Sequence, residues 1–574
     1  MLEHFQAAWA ELTADGAPFA MVDTTVDGVP MRVFPSAPND MKTIWDISAN
    51  YADRDYLVFE DERHTYGEVR AQVNALAHWL RTEHGVGRGD RVAVSMRNYP
   101  EWIVTYWATV ALGAALVGMN AWWTGPEMEF GLTDSAPKAL IVDEERLERV
   151  TPHLDKLREA GPLPVVLVRA EPPAGNDTVR WDDLMAADGV DEPPAIEIDS
   201  NDDACIFYTS GTTGFPKGAQ LTHRGSVHNI LHLMFWAAVS ARAAELEGKS
   251  DNVAAPEQPG GQLVFMAPTP LFHVTACNCV LHPATLAGAR VVLTYKWNAA
   301  RAIELIERER VTNFSGVPTM TREMLAHPDW AKRDTSSLRG LGGGGAPLQA
   351  DLVAKIDKSV KGAASTGYGL TETHGIVTAS SGAFFVDKPD SAGPVVPTLD
   401  AKLVDDDGSE LPASPTTVGQ LCVRGSVVIK GYLNQPEATA DAIRDGWFNT
   451  GDVARIDEDG FVFIVDRVKD MVLRGGENVY CSEVEAVIYE HDDVAEVAVF
   501  GVPDERLGEE VAAAVYPVEG ATIDPEELQA FVGERLAKFK VPSRIWVLDE
   551  PLPRNANQKF LKRELKASLV GDDG

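Results

Sequence analysis

Tyr208-Thr-Ser-Gly-Thr-Thr-Gly-Phe-Pro-Lys-Gly218 is the stretch whose reading decides the fold. The apolar run Ala204-Cys-Ile-Phe-Tyr208 leads into it and reads as a buried strand. Hydroxyl residues and glycines follow in a row. Gly211 and Gly214 let the backbone turn tightly and leave its N–H groups bare, a concave nest for phosphate oxygens. Thr209, Ser210, Thr212 and Thr213 add hydroxyl donors, and Lys217 adds a point charge. This is chemistry for holding a polyphosphate. It is not a Walker A loop: counting from Gly211, the second glycine position falls on Pro216, and Lys217 is followed by Gly218. A surface turn is the common fate of such a composition.

Working outward, strands alternate with helices on both sides of this loop. Met41 to Ala49 reads as a short helix, Val58 to Thr65 as a hairpin, and Thr65-Tyr-Gly-Glu68 as a capping box opening a helix. Arg91 to Met96, Leu140 to Asp143 and Pro164 to Val168 read as strands. That alternation implies parallel sheets covered on both faces. From about residue 400 short β runs suggest a β-rich part. Past about 470 a helix–strand–strand–helix–strand order gives a small α+β unit. The expected fold is therefore α/β. A large N-terminal domain spans 1–466, with 400–466 its β-rich part, then a hinge at 467–470 and a small mobile α+β domain at 471–574. Residues 1–40 read as an irregular wrap and Ala241 to Gln262 as a surface insertion.

The totals exclude several classes. The chain has 574 residues and a net charge of −35, so a nucleic-acid partner would be repelled. An anionic substrate must be held by local charges. Five cysteines, an odd number in a long chain, argue against a disulfide framework and for buried thiols. The apolar region Trp107 to Trp123 is too short and too interrupted for an integral membrane segment, and no signal peptide is visible. The expected location is cytoplasmic, and a homodimer is compatible with the sequence.

The phosphate-loop stretch resembles the signature of the acyl-adenylate-forming family of AMP-binding enzymes, which includes acyl-CoA synthetases, luciferases and peptide-synthetase adenylation domains. Further stretches agree in order over roughly residues 50–565. In Pro270-Leu-Phe-His-Val-Thr275 the resemblance gives His273 a gating role beside the acyl site, although a lone His in an apolar stretch is commonly a core residue. In Leu341-Gly-Gly-Gly-Gly-Ala-Pro-Leu348 it lays Gly343, Gly345, Ala346 and Pro347 along adenine and borders the acyl pocket with glycine. A fourth glycine would leave that wall open and suit a long or bulky acid. Gly367-Tyr-Gly-Leu-Thr-Glu-Thr373 follows. There Tyr368 and Gly369 meet adenine, Thr371 donates to the α-phosphate, and Glu372 with Thr212 holds Mg²⁺, which often binds one carboxylate plus phosphates and water. His374 is expected to be a solvated neighbour.

In Trp447-Phe-Asn-Thr-Gly-Asp452 and Asp466-Arg-Val-Lys-Asp470 the resemblance implies that Asp452 holds ribose, Arg467 adds a contact to ribose or phosphate, and Lys469 is the hinge residue. In Leu473-Arg-Gly-Gly-Glu-Asn-Val-Tyr480, Gly475, Gly476 and Glu477 would line the pantetheine channel of coenzyme A. In Pro551-Leu-Pro-Arg-Asn-Ala-Asn-Gln-Lys559, Lys559 is the implied catalytic lysine, with His273 and Thr371 assisting. The family has Gly before this lysine, and Gln558 stands there here. The implied activity is an ATP-dependent acyl-CoA ligase: a carboxylic acid, ATP and coenzyme A give the acyl-CoA, AMP and pyrophosphate. A medium- or long-chain fatty acid is the expected substrate, with an aryl or polycyclic acid as the alternative. A non-catalytic nucleotide-binding regulator is the rival of another class.

Overall fold

The computed structural model describes residues 2–173, 177–186, 190, 192–193, 195–209, 216–248, 261–345, 350–359, 363–382, 387–475, 477–556 and 558–570. It is a mixed α/β structure with a large N-terminal and a small C-terminal domain.

Two sheets form the centre of the large domain. The first runs, in spatial order, Lys217–Thr222, Asp203–Thr209, Ala115–Gly118, Arg91–Ser95, Ala139–Val142, Val165–Leu167 and Thr178–Arg180. Its pairings are parallel except the first, where Asp203–Thr209 and Lys217–Thr222 form an antiparallel hairpin around the phosphate-loop stretch. The second sheet runs Thr378–Ser381, Ala363–Tyr368, Gly340–Gly344, Asn313–Gly316, Val264–Ala267, Arg290–Leu293, Asp55–Phe59 and Glu62–Thr65. Its inner pairings are parallel, so ligand-facing loops gather at the carboxyl ends of its strands.

Local signals set these elements. Thr65 Oγ1 accepts from Glu68 N while Glu68 Oε2 accepts from Thr65 N, closing the capping box that starts the helix Tyr66–Thr82. The helix Pro100–Ala111 is buried on every side, and its Trp102, Tyr106 and Trp107 pack with Trp45, Tyr56 and Tyr66 in the main core. The helix Ala299–Glu309 turns Ile303, Leu305 and Ile306 inward, as their spacing requires.

The β-rich part is an antiparallel sheet built on Leu399–Val404, Ser414–Gly425, Trp447–Ile456 and Phe461–Arg467. The small domain carries the helix Cys481–Ile488, the long hairpin Val494–Asp504/Gly508–Pro517, the helix Pro525–Gly533 and the strand Arg544–Val547. No described helix is long and apolar enough to cross a membrane.

The N-terminal forty residues correct the sequence reading. They form the helix Leu2–Thr13 and the hairpin Val22–Val26/Val29–Val33 instead of an irregular wrap. Phe5 packs on Trp236, and Trp9 and Phe19 pack edge-on to Phe235. Aromatic rings scattered over a short polar segment have no amphipathic period to reveal this; their partner face is distant in sequence. The insertion read over 241–262 begins as the last turn of the helix His223–Leu246, and residues 249–260 lie outside the described residues.

That helix also ties the N-terminal segment by neutral histidines. Met41 N donates to His223 Nδ1, Phe34 N donates to His228 Nε2, and His232 Nε2 meets Thr398 Oγ1 at 2.7 Å. Burial pushes His223 and His228 down to about 4, against the opposing pull of Asp40 and Asp202 on His223, and burial with the charge of His228 also holds His232 well below the ordinary histidine value. Below the ordinary histidine range the unfolded chain binds protons that the folded one refuses. Stability is therefore complete above about pH 6.5 and lost as pH falls toward 4, by roughly 1.4 kcal/mol per pH unit per histidine. Urea unfolding followed between pH 7.5 and 5 should show a falling midpoint, and His228→Gln should shallow that slope.

Candidate active site

The cleft is framed by the carboxyl ends of the second sheet, the β-rich part and the small domain. Asp452 stands in the strand Trp447–Ile456 and is 3% exposed, so its charge needs partners. Tyr368 Oη donates to Asp452 Oδ2 at 2.6 Å, and Arg467 Nε lies 3.2 Å from Asp452 Oδ1. Burial raises the Asp452 carboxyl above its ordinary value despite the opposing pull of Arg467, Tyr368 and Lys559. Asp452 and Arg467 are brought opposite each other by strand register. Tyr368, which the sequence offered as a stacking ring, is held in orientation by its hydroxyl.

Glu372 and Thr371 sit in the 3₁₀ turn Thr371–Thr373 just past the strand Ala363–Tyr368. Glu372 Oε1 accepts from Tyr432 Oη at 2.9 Å, and the Glu372 carbonyl accepts from Ile429 N. Sequence reasoning missed Tyr432: a tyrosine in a β-rich segment carries no motif. Its ring also lies 5.0 Å from Lys217 Nζ, which ties Lys217 to the Glu372 side of the cleft. Among the described residues no three His, Cys, Asp or Glu side chains gather as a ready-made metal cage. A single carboxylate that shares its hydrogen bond with a hydroxyl suits Mg²⁺ completed by phosphate oxygens and water.

Lys559 arrives from the small domain. Asn555 accepts from the Lys559 N–H through its side chain and donates to the Lys559 carbonyl, making a tight turn. Gln558 lies within that turn at φ +61°, the left-handed region that glycine occupies freely. The departure from the family's glycine therefore keeps the glycine-like backbone and costs roughly 1–2 kcal/mol. A Cβ on Gly345 would stand 3.6 Å from Lys559 Cε, so the lysine passes directly along the glycine loop. Burial pushes the ammonium down to about 8, with Arg467 and Lys469 adding to that and Asp452 and Glu372 opposing it. His273 stands on the other side. Burial and the charge of Lys559 push it down to about 3, and its Nε2 is buried without a partner. It is neutral at neutral pH.

Two readings need correction. The glycine run does not open a wall: a Cβ on Gly342 would meet the Ser365 carbonyl oxygen at 1.9 Å, and one on Gly343 the Gly316 carbonyl oxygen at 1.8 Å. Close packing with neighbouring strands accounts for these two glycines, and their number says nothing of the acid's size. His374 is not solvated. It is fully buried at φ +57°, its Nδ1 2.7 Å from the Val427 carbonyl, and Gly225 makes room for its ring. Gly369 likewise faces the Gly375 carbonyl at a distance no side chain could share.

The structure thus gathers Gly345, Tyr368, Glu372, Asp452, Arg467 and Lys559, with His273 and Lys217 at the edges. Thr209 ends the strand leading into the phosphate loop. Ser210, Gly211, Thr212, Thr213, Gly214, Ala346, Pro347 and Gly476 lie outside the described residues. Lys469 is an exposed turn residue between the last large-domain strand and the small domain. Gly475 and Glu477 stand apart from the cleft group: Gly475 N donates to the Leu507 carbonyl, and Glu477 is exposed on the strand Glu477–Val479 of the small domain's sheet.

Residues 44–433 match the model of the AMP-binding enzyme family, and residues 483–559 match that of the AMP-binding enzyme C-terminal domain. The chain belongs to the AMP-binding enzyme family. It is an enzyme of the acid–thiol ligase kind within it. A feruloyl-CoA synthase of an Amycolatopsis species is 39% identical over 505 residues, covering 88% of this chain and 93% of that protein. A long-chain-fatty-acid–CoA ligase of Bacillus subtilis is 31% identical, covering 91% and 92%. Among solved structures, an anthranilate CoA ligase in complex with anthranoyl-AMP superposes with TM-score 0.81 at 25% identity over 93% of this chain and 98% of that one. ATP-bound MatB from Rhodopseudomonas palustris gives 0.78 at 29%, over 92% and 99%.

Only the protonated Lys559 can neutralise an anion, so kcat/KM for ATP, which reports the free enzyme, should fall as pH rises through about 8. A profile flat from pH 7 to 9.5 would be inconsistent with this assignment.

Proposed function

We propose that this chain joins an apolar carboxylic acid to coenzyme A through an acyl-adenylate. The observation that carries the reading is the buried Lys559 ammonium at Gly345, in the electrostatic reach of Asp452, Glu372 and His273. A carboxylate and a triphosphate repel each other. A cation held between them offsets charge where it builds in the transition state. The acid's oxygen attacks the α-phosphorus, and the bond to pyrophosphate breaks. Asp452 accepts from the ribose hydroxyls, Arg467 fixes Asp452, and Thr371 donates to the α-phosphate. Glu372 and Thr212 would hold Mg²⁺, which supplies countercharge for the departing pyrophosphate. The neutral His273 bounds the acid side and carries no charge to compete with Lys559. The thiol of coenzyme A then attacks the acyl carbon, the bond to AMP breaks, and the thiol proton leaves to solvent.

The domain boundaries support a division of labour between the two steps. Lys559 and the 473–480 hairpin share the small domain, and the exposed Lys469 turn joins it to the last strand of the large one. Rotation there would exchange Lys559 for the pantetheine-lining Gly475, Gly476 and Glu477.

Two acid classes have support. The 39% identity with a feruloyl-CoA synthase supports an aryl acid. A medium- or long-chain fatty acid is the second reading, supported by the 31% identity with a long-chain-fatty-acid–CoA ligase.

Pyrophosphate release measured with a panel of aryl and fatty acids, with and without coenzyme A, checks this. Release should require an acid, and aryl acids should give the higher kcat/KM. A chain that releases pyrophosphate with no acid of either class would be a nucleotide-binding regulator instead. Lys559→Ala should lower adenylation by at least a hundredfold while leaving thioester formation from supplied acyl-AMP within a few-fold. Equal loss in both steps would refute the division of labour.

A further inference from the structure

The turn Thr371–Thr373 is closed by a residue that takes no part in the chemistry of the cleft. His374 N donates to the Thr371 carbonyl at 3.1 Å, and the His374 side chain is fully buried behind the turn. Its ring lies where three segments meet.

The first segment is the start of the helix His223–Leu246, which follows directly on the strand Lys217–Thr222 leaving the phosphate loop. Gly225 lies in the first turn of that helix. A Cβ there would stand 2.3 Å from His374 Nε2 and 2.4 Å from Cε1, so the ring rests on bare backbone. The second segment is 427–432. His374 Nδ1 lies 2.7 Å from the Val427 carbonyl, and because a carbonyl only accepts, Nδ1 is the donor. The ring is neutral at neutral pH, since burial pushes it down to about 3. The third segment is the turn itself.

The first two segments also hold the residues on either side of His374. Ile429 N donates to the Glu372 carbonyl at 3.0 Å, and Tyr432 Oη donates to Glu372 Oε1. Asn229, one helical turn beyond Gly225, accepts from Ile376 N at 3.0 Å. Segment 427–432 is laced in turn to the strand Lys217–Thr222. Lys430 N donates to the Gln220 carbonyl, and Gln220 N donates to the Gly431 carbonyl at 2.9 Å. The His374 ring thus fills the space between the strand bearing Lys217 and the turn bearing Thr371 and Glu372. Close-packed interiors transmit small changes of volume, so the size of this ring sets the separation of the two.

We propose that His374, seated on Gly225, is a positioning residue for nucleotide binding: its ring and its bond to Val427 set where Thr371 and Glu372 stand relative to Lys217. The inference rests on the roles given to Thr371 and Glu372 in the ligase reading and deepens it. Misplacing such groups by about 1 Å can lower a rate about a hundredfold.

The test changes the ring and its seat together. Gly225→Ala should push the ring off its seat and lower kcat/KM for ATP in acid-dependent pyrophosphate release about a hundredfold. His374→Asn keeps a donor at the Nδ1 position and suits the left-handed backbone, but it removes the far edge of the ring. The gap left beside Gly225 should cost about tenfold. In the double variant Gly225→Ala/His374→Asn the added methyl fills that gap, and activity should return to within a few-fold of the wild type. A double variant no better than the worse single one, or a Gly225→Ala with wild-type kinetics, would overturn the proposal.

His374→Ala, which needs no new space, covers the case of a Gly225→Ala that does not fold. Calorimetric titration with AMP in the absence of metal, below the unfolding temperature, reads it without turnover. Binding of AMP should weaken about tenfold in His374→Ala. A lowered thermal midpoint with wild-type affinity for AMP would make His374 a core residue and nothing more. A wild type that releases no pyrophosphate with any acid would count against the ligase reading, whereas the AMP titration judges His374 alone.

Discussion

The site depends on one unfavourable fact, a lysine ammonium taken out of water. Lys559 is buried beside Gly345 with two further cations, Arg467 and Lys469, acting on it and only Asp452 and Glu372 to oppose them. Burial of a charge costs several kcal/mol unless it is paired. A cation so placed favours an anion beside it. Described ties between the domains include Arg554 to Glu323 at 3.4 Å, Arg322 over the Tyr489 ring, and Ser482, whose N–H donates to Asp466 Oδ2 and whose hydroxyl donates to the Val465 carbonyl.

Much of this was legible in the sequence because the relevant residues are contiguous. The strand before the phosphate loop, the turn bearing Thr371 and Glu372, and the strands carrying Asp452 and Arg467 are each set by local alternation and turn residues. The family resemblance then puts them in order. The Thr65 capping box is local in the same sense, since both partners lie within four residues. What could not be read depends on contacts distant in sequence. Tyr432 reaches Glu372 from 60 positions away, and Arg97 meets the ring of Tyr295 from the other sheet. His374 looked solvated because its neighbours are polar, yet Gly225, far upstream, supplies its cavity. The glycine run misled for a different reason: glycine at a ligand and glycine between crowded strands have the same letter.

Gln558 shows the limit of motif comparison in the other direction. The residue differs from the family's glycine, yet its backbone lies in the left-handed region that glycine enters freely. A side chain in the left-handed region is tolerated because the Asn555 bracket on Lys559 fixes the turn from both sides.

The aromatic packing of the helix Leu2–Thr13 has a practical corollary. The family match begins at residue 44, which invites anyone trimming the protein to cut there. Such a cut would strip the cover from Phe235 and Trp236 and leave His223 and His228 without their backbone donors. The shortened polypeptide would present a sticky ridge along the helix His223–Leu246, and its failure in an assay would say nothing about chemistry.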